Sequence, residues 1–197
     1  MPKRQTESLK RNKVIRDTWV PGHYPDLAEV ASAAHLAHQG LLGPVEAMWL
    51  RDVDLASVPA AQLASLAARV MGSVYIWNTS GCDLSSLIRS LRSEVLSLNN
   101  QRLGAGDTQA LVRALESGVE RLHLGRYGEV TLNITDLAMY NGGGKCRVVS
   151  FGNETSRIYR AEVRNWAQMM NWKVTYDMHD AIYINAYAHV SRAIILF

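Results

Sequence analysis

In the stretch "VEAMWLRDVDL" apolar residues fall at Val45, Met48, Leu50, Val53 and Leu55, a spacing that matches neither the period of an amphipathic helix nor the plain alternation of a half-buried strand. It suits a short strand with alternate residues inward, followed by a turn. "VYIWNTSGCDL" repeats the frame with Val74, Trp77, Thr79, Cys82 and Leu84. Further on the frame loosens but the strand core persists, in Leu96, Leu98 and Leu103, then Val119, Leu122 and Leu124, then Val149 and Phe151, then Val174 and Tyr176. With Met48, Trp77, Leu96, Leu122, Val149 and Val174 taken as equivalent, the steps are 29, 19, 26, 27 and 25 residues by subtraction.

Segments with helical spacing lie between these strands. "PAAQLASLAARV" has Pro59 in a first turn and Leu63, Leu66, Ala67 and Val70 on one face. "DLSSLIRSLRS" is a shorter helix. "GDTQALVRALESG" is predicted to start with Asp107 or Thr108 as N-cap, to align Leu111, Val112 and Leu115, and to stop at Gly118. "SRIYRAEVRNWAQMMNW" aligns Ile158 or Tyr159, Val163, Trp166 and Met170, which makes Trp166 and Met170 core residues. In "NITDLAMYNGGGK" three glycines end any helix begun at Asp136. "DLAEVASAAHLAHQGLLG" predicts one helix from Asp26 toward Gly40. At the other end, the apolar run Ile194 to Phe197 needs a surface to cover it.

The strand-plus-helix units resemble the leucine-rich-repeat family, whose pattern is L-x-x-L-x-L-x-x-N/C-x-L. The nearest type is that of ribonuclease inhibitor, also found in the sensing region of NOD-like receptors. The resemblance covers about Val45 to Tyr176 and is carried by the first two units, where Val53 and Cys82 occupy the N/C site. It implies an α/β fold: a short right-handed solenoid with a sequential parallel sheet, helices on the convex side and an N-terminal helical cap. The expected organisation is a basic flexible tail at 1–20, the cap at 21–44, a repeat domain of about six strands at 45–185, and a C-terminal cap or tail at 186–197. The rival architecture is an ordinary parallel α/β domain, with shuffled strands and helices on both faces.

In such a repeat the residues between the inward positions line an exposed concave sheet. The register selects Trp49, Arg51 and Asp52, then Asn78 and Ser80, then Ser97, Asn99 and Asn100, then His123 and Arg126, then Ser150 and Asn153, then Thr175 and Asp177. Candidate partner-binding residues among them are Trp49, Arg51, Asp52, Asn78, Asn99, His123, Arg126, Asn153 and Asp177. Trp and Arg often carry interface energy, and His123 with Arg126 on one strand could meet an acidic group. The plainer reading is that polar strand positions simply face water.

Composition narrows the partners. The chain of 197 residues is 48% hydrophobic and 20% charged, as a single globular domain would be. Its net charge of +3 is uneven: Lys3, Arg4, Lys10, Arg11, Lys13 and Arg16 against Glu7 give residues 1–16 a charge of +5, leaving −2 for the remainder. A slightly acidic domain lacks the footprint of a nucleic-acid binder, and the tail reads as a solvated end or a nuclear-import signal. No apolar segment follows the basic N-terminus and no run reaches membrane length, so a cytoplasmic protein without membrane contact is expected.

Catalytic patterns fit poorly. If Cys82 and Cys146 lie three repeats apart, strands spaced ~4.8 Å separate them by on the order of 14 Å, too far to bridge, which predicts free thiols. "YDMHD" places Asp177 and His179 together but Asp180 opposite, a weak metal set. "GGGKC" lacks the P-loop spacing and precedes a predicted strand, and "GAGDTQA" is a partial dinucleotide fingerprint better explained as a turn and helix start. No G-x-S-x-G elbow occurs. The expectation is therefore a non-enzymatic module without cofactor that binds a protein partner, in innate-immune recognition or inhibition if the resemblance holds. The alternatives are a small α/β nucleotide-binding protein or enzyme, with a pocket near "LGAGDT" or "NGGGK", and a divergent fragment of a larger repeat receptor.

Overall fold

The computed structural model describes residues 23–126, 128–176 and 193–196. Helix α1 (Leu27–His38) comes first, then strand β1 (Val45–Arg51), α2 (Ala60–Ala67), β2 (Val70–Trp77), α3 (Leu84–Arg89) and β3 (Val95–Asn99). The two-residue β4 (Gln101–Arg102) leads to α4 (Ala105–Ser117), β5 (Arg121–Leu124), β6 (Val130–Thr131), α5 (Ile134–Leu137) and β7 (Val148–Phe151). Helix α6 (Asn153–Met169), β8 (Lys173–Tyr176) and β9 (Ala193–Leu196) complete the described elements.

One parallel sheet has the order β1-β2-β3-β5-β7-β9-β8. Two apolar rows cross it in register. Met48, Val74, Leu96, Leu122, Val149 and Ile194 form the first; Leu50, Ile76, Leu98, Leu124, Phe151 and Leu196 form the second. Every member of both rows is buried, which gives each central strand the continuous apolar support that a parallel sheet requires. Consecutive helices from α1 to α6 touch one another in chain order. They therefore form one layer on one face of the sheet.

The rows correct the sequence frame in its second unit. Met48 pairs with Val74, whereas Trp77 pairs with Arg51 and Asn99. The steps along the first row become 26, 22, 26 and 27 residues by subtraction, and the uneven 29 and 19 disappear. Because side chains alternate along a strand, a three-residue slip also exchanges faces, so Trp77 is half-buried and Val74 and Ile76 are core.

A second correction concerns the C-terminal end. Strand order is sequential from β1 to β7, but β9 then lies between β7 and β8. The segment expected to cap the fold instead supplies an interior strand. Its apolar run explains the placement: Ile194 and Leu196 extend the two buried rows, which would otherwise end at Val149 and Phe151.

Helix boundaries follow local chemistry. Asp26 and Glu29 form a capping box at α1, the Glu29 N–H donating to Asp26 Oδ1 at 2.8 Å and the Asp26 N–H to Glu29 Oε2 at 2.9 Å. Helix α4 begins three residues ahead of the expected Asp107 or Thr108, with Gly104 as N-cap. Asp107 caps from inside the first turn, accepting the Gly104 N–H at 2.9 Å, which is why it resembles an N-cap in sequence. On α6, Val163 and Trp166 are buried, Met170 is half-buried, and Ile158 is exposed. The Trp166 ring meets Tyr140 and Phe151 edge to face and its N–H donates to the Tyr140 carbonyl at 3.0 Å. Cys82 and Cys146 are free thiols.

Candidate interaction surface

The face of the sheet opposite the helices presents a row of Trp49, Tyr75, Ser97, His123 and Ser150. Its two ends differ. Trp49 and Tyr75 are half-buried and stack with ring centroids 4.2 Å apart, and Tyr24 meets Trp49 edge to face at 5.6 Å. Ser97, His123 and Ser150 are buried. The expected open concave surface is thus closed to solvent along its central strands β3, β5 and β7.

Polar groups on that closed face satisfy one another. His123 Nδ1 lies 2.5 Å from Ser150 Oγ, and the Asn99 amide donates to Ser97 Oγ at 3.1 Å. Burial, followed by the nearby positive charges of Arg126 and Arg121, pushes the His123 pKa down to about 4. A neutral, enclosed imidazole cannot act as the cationic contact that its sequence position implied. Arg126 also lies beyond the end of β5, so the two residues do not share a strand.

Three candidates do converge in the open. Arg51 stands at the end of β1 with its side chain 44% exposed, and its guanidinium lies 4.4 Å from the Trp77 ring centre and 5.4 Å from that of Tyr24. Arg51 Nε donates to Asp52 Oδ2 at 3.3 Å, while Asp52 Oδ1 accepts from the Asn78 amide at 2.7 Å. Asp52, Asn78 and Asn100 each follow their strand with a positive φ, of 53°, 46° and 50°. Asp and Asn tolerate that left-handed turn better than most residues, so the sequence makes the same corner in three successive units.

Elsewhere the prediction scatters. Asn99 is buried, Asn153 is exposed in the first turn of α6, and Asp177 lies outside the described residues, as do His179, Asp180 and the basic segment at 1–20. Sequence reasoning missed Tyr24, Tyr75 and Trp77. Once β1 pairs Met48 with Val74, alternation along β2 places the last two beside Trp49 and Arg51.

Patterns for catalysis gain no support from geometry. "GGGK" leads into β7 with no helix, and the Asp107 carboxylate occupies the start of α4, where a phosphate would have to sit. Burial, then Asp83, Asp107 and Asp54, raise the Cys82 pKa and disfavour its thiolate. Among the described residues no group of three His, Cys, Asp or Glu is placed to hold a metal, and no helix is long and apolar enough to cross a membrane. No protein-family model, characterised protein or solved structure matches the chain.

Proposed function

We propose that the chain is a short solenoid of leucine-rich-repeat type, acting as a non-enzymatic module that binds a protein partner at the corner formed by Arg51, Asp52, Trp77 and Asn78. The observation that carries this reading is the Arg51 guanidinium held over Trp77 while remaining open to solvent. Aromatic and arginine side chains dominate measured interface energies, and a stacked arginine loses less conformational freedom on binding than a free one. Its bond to Asp52, itself tied to Asn78, further limits the guanidinium's motion. Sequential strands and one helical layer support the solenoid; the transposed β8 and β9 make it an irregular one.

Affinity capture from lysate, read by mass spectrometry, tests the site with wild type, Arg51→Glu, Trp77→Ala and a control, Arg157→Glu, on an exposed position of α6. A protein retained by wild type and the control but lost by both corner variants supports the proposal. Equal retention by all four, or no retained protein, overturns it.

A further inference from the structure

A cavity of about 330 Å³ opens where the chain leaves β2 and β3, bounded by Asn78, Asn100, Gln101, Arg102, Glu129 and Thr131. From its location and lining, we propose that it binds a free amino acid or a similarly small zwitterion, with Arg102 holding the carboxylate and Glu129 the ammonium group.

The frame is fixed from behind. Strands β4 and β6 pair Gln101 with Val130 and Arg102 with Thr131, so the residues that bear the two charges are carried on adjacent, hydrogen-bonded segments. Gln101 is buried, and with its amide oriented to satisfy its neighbours its oxygen accepts from the backbone N–H groups of Asn78 at 3.1 Å and Thr79 at 2.8 Å. That contact ties the turn after β2 to the floor of the cavity. Asn78 is held in turn by Asp52.

Among the described residues the charged groups are uncommitted. Arg102 and Glu129 line the same cavity with opposite charge, yet among the described residues neither side chain makes an ion pair or hydrogen bond, and the same holds for the Asn100 amide. An anion alone would meet the Glu129 carboxylate, and a cation alone would meet the Arg102 guanidinium. A ligand with both charges complements both, and the Asn and Thr groups provide further hydrogen bonds in a site too polar to favour an apolar ligand. The volume lies at the small end of the range for small-molecule sites.

This inference does not rest on the protein-binding reading, and its test uses only the purified chain. Free proteinogenic amino acids are added singly at millimolar concentration and binding is followed by NMR chemical-shift changes, with the N-acetylated and carboxamide forms of each responder as controls. At least one free amino acid should bind saturably. Blocking either terminus, or substituting Arg102→Gln or Glu129→Gln in a chain with unchanged urea midpoint, should weaken binding by about tenfold or more. Absence of binding by every amino acid overturns the proposal, as does binding indifferent to both substitutions or undiminished by N-acetylation.

Discussion

The side-chain amide of Asn78 donates to the Asp52 carboxylate at 2.7 Å across 26 residues of sequence, and both residues turn the chain through a left-handed backbone conformation. One bond thus joins equivalent corners of successive units. Its strength is testable because the backbone and side-chain contributions separate. Asn78→Gly keeps the turn and removes the bond, which should cost about 1 kcal/mol in urea unfolding. Asn78→Ala should cost about 1 kcal/mol more, since alanine resists positive φ.

Acid should weaken the fold through His123. Its pKa is held at about 4 in the folded chain against 6.5 when free, so between those values the unfolded state binds the additional proton. The stabilisation is fully present above pH 6.5 and is lost as pH falls toward and through 4. On the order of 3 kcal/mol is at stake. Urea midpoints measured across this range should fall steeply for wild type and less steeply for His123→Gln.

Gly152 caps the start of α6 where the backbone just after β5 comes closest. A Cβ there would strike the Gly125 carbonyl, although φ is −65° and the backbone itself would accept alanine. Gly152→Ala should therefore destabilise by about 3 kcal/mol through overpacking alone. A thermal melt followed by circular dichroism measures it; a wild-type midpoint would mean that the two segments can separate without cost.

Trp166 joins α6 to the core. Removing the ring in Trp166→Ala should cost about 3–5 kcal/mol, whereas Trp166→Phe keeps most of the packing, loses the bond to the Tyr140 carbonyl and should cost about 1–3 kcal/mol. Chemical denaturation of both variants gives the ordering, and equal losses would show that the lost hydrogen bond outweighs the packing of the ring.

Local chemistry made much of this architecture legible. Met48, Leu50, Leu96, Leu98, Leu122 and Leu124 mark strands in the sequence, Leu63 and Leu66 or Leu111 and Leu115 mark the helices between them, and all of these residues are buried. The corner at Arg51, Asp52 and Asn78 was also within reach, because short-range turn chemistry places it. Tertiary structure decided what depends on pairing. Choosing Val74 over Trp77 as the partner of Met48 requires the neighbouring strand, since both are apolar and only the pleat assigns them to opposite faces. Enclosure of Ser97, His123 and Ser150 was likewise not legible, for nothing in a polar strand position says that it will lose contact with water. The place of β9 beside β7 is likewise non-local: "AIIL" marks a strand that must be buried, but only the unfilled ends of two rows, at Val149 and Phe151, determine where.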